Sequence, residues 1–364
     1  MSIIFNGQFG LERETLRVDQ YNHLAQTPHP FPDDPNITRD FCENQVEIIT
    51  PVCHSIPEMM QSLSDLHQRT VQKLHEMGEH LWLYSNPPYI SSESEIPVAR
   101  FDGEQAFKHH YRLKLQRRYG KKLMLYSGIH FNFSFQEDVL QKIPDRNAFY
   151  LKLYKYLSSY SWLLVMLTAA SPLYDQSLDA DGQKGIVRSP FASMRNSIRG
   201  YWNQFIPELN YTDLQSYADS IQNYINKGIL FSASELYLPI RMKPPGENSL
   251  ENLVNHGIDH IELRMFDLNP FEPLGIAEQD LVFAYLLILW LSSLPDFDFH
   301  ADLQIEAVKH HQATACYDLS QITIQHQPAK QAAVSVLDQM TDYFSDDPEK
   351  RNIIHLQKLK LIGA

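Results

Sequence analysis

Cysteine is scarce in this chain, with three residues (Cys42, Cys53 and Cys316) among 364. An odd number without a CxxC pair excludes a disulfide framework and a zinc knuckle, and makes a reducing cytoplasm the simplest setting. Glycine is also sparse, at 14 residues, and neither GxGxxG nor GxxxxGK[ST] occurs; Gly120-Lys121-Lys122 is no phosphate loop. A nucleotide would therefore be held through metal ions rather than in a glycine cradle. No G-x-S-x-G elbow is present. The most apolar segment, Leu281 to Leu291, has 11 residues, against roughly 20 for a membrane span, and reads as a buried helix. The N-terminus, MSIIFNGQFGLERE, lacks the basic stretch and apolar run of a leader peptide. Basic residues number 31 against 44 acids, a formal charge of −13. That balance excludes wholesale nucleic-acid binding. An acidic protein that handles anionic substrates needs metal cations or concentrated arginines to hold them.

Internal repeats, low-complexity tracts and Gly/Ser linkers are missing too. The 21 prolines cluster only in turn-like stretches, such as Pro28 to Pro35, Asn86-Pro87-Pro88 and Lys243-Pro244-Pro245-Gly246. A single domain over 1–364 is the expectation, with catalytic motifs in 9–273 and a helical C-terminal part from about 276. What is present, 43% apolar and 21% charged residues, is the composition of a soluble globular protein large enough to bury a core.

Ser55 and Glu58 form a capping box, with Pro57 in the first turn, predicting a helix from Ser55 to about Met77. Further helices are expected at Asn147–Ala170, from Thr212-x-x-Gln215 to near Gly228, and at Glu278–Leu294, with two weaker amphipathic segments following to the end. Period-two patterns predict strands at Phe9–Val18, Phe41–Ile49, Ser127–Phe135 and Ile258–Asp267. The mixed order favours an α+β fold whose antiparallel or mixed sheet carries helices on one side.

These strands carry the unusual information. Alternation puts Glu12 and Glu14 on one face of the first, about 7 Å apart. Glu43, Gln45 and Glu47 share a face of the second, opposite Val46 and Ile48. His130, Asn132 and Ser134 alternate with Ile129, Phe131 and Phe133 in the third, and Glu262 and Arg264 with Ile261, Leu263 and Met265 in the fourth. One such strand is ordinarily a half-exposed one whose polar face meets water. Four together differ, because Glu, His and Asn are poor strand formers. If the faces converge, five carboxylates cannot all stay ionised without cations between them. Hard cations with oxygen ligands fit best, and Mg²⁺ typically bridges carboxylates to substrate phosphates.

At this point the chain resembles the bacterial glutamate–cysteine ligases (γ-glutamylcysteine synthetases), and in particular the N-terminal ligase part of the bifunctional glutathione-making enzymes. The segments that carry the resemblance are FGLERETLRV (9–18), ITRDFCENQVEIITP (37–51), SNPP (85–88), YGKK (119–122), SGIHFNFSF (127–135), SMRNSIRGYWN (193–203), SELYLPIR (234–241) and HIELRMFDLNPFEP (260–273). They keep the family's order over roughly residues 5–295. The resemblance implies a sheet curved into a cup with helices outside, as in glutamine-synthetase-like ligases. It implies Mg²⁺ ligands at Glu12, Glu14, Asp40, Glu47, His130 and Glu262, with Mn²⁺ as a substitute. Arg195 matches the arginine that holds the glutamate α-carboxylate, and Arg264 the one that meets the transferred phosphate, so that Arg264 and Glu262 form the catalytic pair. Phe41, Tyr201 and Tyr237 match the acceptor pocket, and Asn132 is expected to contact substrate. Asp40 and Glu47 have opposite parity, so Asp40 must lie at a strand start or a bulge to reach the same site.

The implied reaction is ATP- and Mg²⁺-dependent joining of the glutamate γ-carboxylate to the amine of cysteine through an acyl phosphate, in the cytoplasm. ATP is then a co-substrate, and a separate glutathione synthetase would act downstream. The alternatives are a γ-glutamyl ligase with another amine acceptor, and a non-catalytic relative, which would have lost ligand residues. No general base emerges from the sequence. Only about 70 residues follow Leu294, fewer than family members usually carry.

Overall fold

The computed structural model describes residues 3, 5–101, 103–179 and 182–362. Seven strands form the main sheet: β1 (Gly7–Asp19), β2 (Ile37–Arg39), β3 (Gln45–Ile49), β4 (Glu79–Leu81), β5 (Ile129–Phe135) and, after a small ribbon of β6 (Leu173–Asp175) and β7 (Ile186–Arg188), β8 (Ile240–Lys243) and β9 (His260–Phe266). A second ribbon joins β10 (Thr323–Ile324) to β11 (Gln327–Pro328). The main sheet runs β2-β3-β1-β5-β9-β8, with β4 on the far end of β1. Every pairing in it is antiparallel.

The helices are α1 (Ile56–Glu76), α2 (Ala106–Tyr119), α3 (Glu137–Leu140), α4 (Arg146–Thr168), α5 (Leu214–Asn226), α6 (Leu250–His256), α7 (Glu278–Ser293), α8 (Ala301–Thr314), α9 (Ala329–Tyr343) and α10 (Pro348–Ile362). The capping box starts α1: Ser55 Oγ accepts from Glu58 N (3.2 Å), and Glu58 Oε2 accepts from His54 N (2.7 Å). Asp213, not Thr212, caps α5, its carboxylate accepting from Ser216 N. α7 is buried nearly all round, as its unbroken apolar run from Leu281 to Leu291 requires, and α4 buries Tyr150, Leu151, Leu153, Tyr154, Leu157 and Trp162 to Val165. Together with α1, which packs on β1 and β3, they cover the apolar face of the sheet formed by Leu11, Val46, Ile48, Phe131, Phe133, Ile261 and Leu263. Burying each such side chain stabilises the fold by about 2 kcal/mol.

Four expectations change. Phe41–Ile49 is not one strand: residues 40–44 form the turn of the β2–β3 hairpin, and Glu43 sits in that turn, paired with Arg39 Nε at 3.2 Å. The apolar face of β1 is not clean, because Arg13 is fully buried there with Nη1 2.9 Å from His67 Nδ1. The C-terminal region holds three helices rather than two, α10 being clasped to α7 by Gln357 and Lys360 on the buried Asp280 carboxylate. The basic helix α2 was not foreseen, because its apolar residues follow no helical period. The three cysteines are free, with Cys42 and Cys53 buried. Among the described residues no helix is long and apolar enough to cross a membrane.

Candidate active site

Register builds the site. In the antiparallel ladder Glu12 stands opposite His130, Glu14 opposite Glu47, and Asn132 opposite Glu262. Directly opposed residues share a face, so side chains from β1, β3, β5 and β9 meet on the side turned away from α4 and α7. β8 adds Arg241 opposite Glu262. Asp40 resolves its parity conflict through the hairpin. Thr38 pairs with Glu47, and Asp40 N then donates to Gln45 O (3.1 Å), which puts Asp40 on the Glu47 face from a different strand. Its carboxylate is partly exposed and 3.9 Å from Arg112 Nη2.

At the centre, His130 Nδ1 lies 3.1 Å from Glu12 Oε2 and 3.2 Å from Glu262 Oε1, while Nε2 is 3.5 Å from Glu14 Oε1. One ring N–H cannot satisfy two carboxylates equally. One ligand atom each from Glu12, His130 and Glu262 lie within 4.8 Å of one another, a donor set fit to surround a cation. Glu262 Oε2 and Asn132 Oδ1 are buried without a hydrogen-bond partner. Such orphaned oxygens are costly unless something else coordinates them. Oxygen-rich donors with a single imidazole suit a hard divalent ion.

The charges are unevenly shared. Burial raises the Glu262 carboxyl, but Arg264, Lys243 and Arg241 outweigh it and hold it well below the usual range. Arg264 Nη1 is 2.6 Å from Glu262 Oε1, Lys243 Nζ 3.5 Å and Arg241 Nη1 3.8 Å from Oε2. Burial also pushes Glu12 up, and its hydrogen bond with His130 brings the net shift down. Glu14 and Glu47 go the other way: burial and then Asp40 raise both, and Glu47 stands well above the usual range. The carboxyls are thus shifted in opposite directions, Glu262 on β9 and Glu12 on β1 downward, Glu14 on β1 and Glu47 on β3 upward.

A bulge sets Arg264. The β5–β9 register shifts between Phe131 and Ile129, so that two residues of β9, Arg264 and Met265, face His130. The backbone carbonyl freed at Arg264 accepts from Arg195 Nη2 at 2.6 Å, and Phe266 O lies 3.4 Å from Nη1. The Arg195 guanidinium packs against Gly128, where a Cβ would come within 2.4 Å of Cζ, so any side chain at that position displaces the guanidinium.

Beside these groups lies a cavity of about 820 Å³, lined by Glu12, Glu14, Asp40, Glu47, His130, Glu262 and both arginines. Phe41, Tyr201 and Tyr237 also line it. The rings of Tyr201 and Tyr237 are 4.2 Å apart, and Tyr119 packs edge-on to Tyr237 at 5.5 Å. The sequence reading missed Arg241, Lys243, Tyr111, Lys108 and Arg112, which also line the cavity. The signal for Arg241 was its place at the end of SELYLPIR, with Lys243 two residues on in β8; that for Lys108 and Arg112 was the run of positive charge in α2. A second cleft of about 710 Å³, walled by Trp82, Tyr84, Tyr89 and Tyr174, contains no carboxylate cluster.

Known proteins share this arrangement of strands and helices. The sequence pattern of the glutamate-cysteine ligase family matches residues 1–229 and 206–314. A bifunctional glutathione biosynthesis protein of Listeria monocytogenes is 36% identical over 99% of this chain and 51% of its own length. That of Clostridium perfringens is 31% identical over 95% and 49%. The chain thus spans about half the length of the curated relatives it matches. The crystal structure of a Francisella tularensis glutamate–cysteine ligase in complex with AMP superposes with a TM-score of 0.89, at 25% identity over 98% of this chain and 82% of that one. A bifunctional glutathione synthetase from Pasteurella multocida gives a TM-score of 0.83, at 27% identity over 98% and 48%. On sequence pattern, identity and fold together, the chain belongs to the glutamate-cysteine ligase family.

Proposed function

We propose that this chain joins the γ-carboxylate of glutamate to the amine of L-cysteine at the expense of ATP, giving γ-glutamylcysteine, ADP and phosphate. The observation that carries the reading is the in-register convergence of Glu12, Glu14, Glu47, His130 and Glu262 on one sheet face, with Arg264 and Arg195 beside them. Glu12, Glu14, Asp40, Glu47, His130 and Glu262 would hold Mg²⁺, or Mn²⁺ in its place, which when bound neutralises the phosphates of ATP and the approaching carboxylate. A carboxylate accepts an amine only after activation. An oxygen of the glutamate γ-carboxylate attacks the γ-phosphorus of ATP, the bond to the bridging oxygen breaks, and ADP leaves. Arg264, fixed by Glu262, faces the transferred phosphoryl group and stabilises its charge. Arg195 retains donors beyond its two carbonyl bonds and holds the α-carboxylate, orienting the γ-carboxylate into the cup. The cysteine amine attacks the acyl carbon, phosphate departs, and the amine proton is lost. Phe41, Tyr201 and Tyr237 offer the acceptor a compact aromatic wall suited to a thiol side chain.

The test is ADP release by the purified chain with ATP, Mg²⁺ and glutamate, with cysteine screened against other amino acids. Turnover with cysteine, lost in Glu262→Gln, is the expected result. Turnover only with a different amine replaces the acceptor and keeps the mechanism. No turnover with any amine defeats the reading.

A further inference from the structure

The loop that carries Arg195 is anchored from a side that the reaction itself does not use. Residues 193–203 wrap around His311, which stands on α8 and is 1% exposed. Its Nδ1 lies 2.9 Å from Ser161 Oγ on α4, and its Nε2 lies 3.1 Å from Asn196 Oδ1. An amide oxygen only accepts, so Nε2 carries the proton and donates to Asn196. The Asn196 amide nitrogen is thereby turned toward Ser193 Oγ and the carbonyl of Met265, at 2.8 Å each. Ser193 Oγ in turn donates to Asp267 at 3.0 Å. Asn196, next to Arg195 in the chain, is thus clamped between the end of β9 and α8. The Trp202 ring meets His311 edge-on at 5.1 Å, and its Nε1 donates to Ser197 O at 2.8 Å, closing the loop around the imidazole. A cavity of about 40 Å³, bounded by His311, Arg195, Arg264, Tyr201 and Tyr237, separates the ring from the two arginines. His311 therefore acts on Arg195 through Asn196 and the loop backbone rather than by touching the guanidinium.

We infer that His311 is a positioning residue for the glutamate subsite: by clamping Asn196 it fixes the Arg195 guanidinium, and so sets glutamate affinity from outside the substrate cavity. This rests on the reading of Arg195 as the partner of the glutamate α-carboxylate. The test is steady-state kinetics of His311→Leu, His311→Gln, Arg195→Ala and the double variant Arg195→Ala/His311→Leu. His311→Leu is expected to raise the KM for glutamate about tenfold while the KM values for ATP and cysteine stay within about twofold. His311→Gln, whose amide can still donate to Asn196, should recover most of the loss. In the Arg195→Ala background, His311→Leu should add nothing, because a residue that acts only through Arg195 has nothing left to position.

An unchanged glutamate KM in His311→Leu, or a parallel rise of all three KM values, overturns the inference. A normal glutamate KM in Arg195→Ala overturns the assignment of the subsite instead. A crystal structure of His311→Leu gives a readout independent of turnover. Loss of the Arg195 bonds to the carbonyls of Arg264 and Phe266 is expected, and their retention counts against the inference. Should His311→Leu fail to fold, His311→Asn, too short to reach Asn196, carries the same expectations.

Discussion

Replacing Glu262 by glutamine and Glu47 by glutamine should move the melting temperature in opposite directions in metal-free buffer. Glu262 is fully buried, with Arg264 at 2.6 Å and Lys243 and Arg241 at 3.5 and 3.8 Å. Neutralising it leaves three cations without their shared anion. Removing one partner of a buried pair costs about 3–5 kcal/mol, and the lower end applies because Glu12 and Glu14 still attract Arg264. Glu47 has the reverse surroundings: burial first, then Asp40, Glu12 and Glu14, hold its carboxyl well above the ordinary 4.5. Each unit of such a shift is worth about 1.4 kcal/mol. Allowing for its partial exposure to the cavity, the neutral amide should gain on the order of 1 kcal/mol. A carboxyl raised in the folded state contributes stability below its unfolded pKa and loses it as pH rises. The advantage of Glu47→Gln is therefore absent at pH 4 and grows toward pH 8. At about 2 cal/mol/K of unfolding entropy per residue, 364 residues convert 1 kcal/mol into roughly 1.3 °C. Thermal melts at pH 8 with a chelator should then show Glu262→Gln about 4 °C below the parent and Glu47→Gln about 1 °C above it. Added Mg²⁺ stabilises the parent by mass action and should stabilise both variants less. A destabilised Glu47→Gln in chelator, or variants with the parent's full Mg²⁺ response, would refute the assignment of a cation site to this face.

Gly128→Ala should leave the melting temperature within about 2 °C of the parent but weaken glutamate binding at least tenfold, read from KM, because the new methyl displaces the Arg195 guanidinium that lies on that glycine. On the proposed reading of the Tyr201–Tyr237 pair, which lines the cavity, as the acceptor wall, Tyr201→Ala should raise the KM for cysteine about tenfold and spare that for glutamate; equal rises for both would place the pair elsewhere in the reaction. Burial, with Arg195 nearby, lowers His311 from 6.5 to about 3. The unfolded chain thus binds the proton more readily, and stability present above pH 6.5 is lost as pH falls toward 3, by a few kcal/mol. Melting curves of His311→Gln should lack that part of the acid slope.

The strands that carry alternating polar and apolar residues were legible because one face must be buried: β5 and β9 fall within two residues of the predicted segments, and β1 within two. What alternation cannot show is pairing. That Glu14 faces Glu47, or that Arg241 faces Glu262, depends on which strands lie side by side, and β8 is only four residues long with no distinctive pattern of its own. Asp40 read as out of phase for the same reason, since parity counts along a single strand and the chain reverses at residues 40–44. The bulge at Arg264 and Met265 likewise depends on the partner strand. α2 was hidden because its side chains are chosen for charge around the cavity mouth rather than for burial, which erases the period that marks a helix. His311 could not be singled out, since its role depends on a loop more than a hundred residues earlier.

The strand order also has a consequence for how the chain comes to be folded. β1 lies near the middle of the sheet, yet the histidine that meets its Glu12 is 118 residues further along, and β9 must be made before Glu262 can join them. Contacts of such long sequence separation form late and slowly, because loop-closure entropy is lost before they are rewarded. Glu14 and Glu47 can meet as soon as β1 and β3 have been made, but the Glu12–His130–Glu262 cluster is complete only after about residue 266, so the site is assembled in two stages.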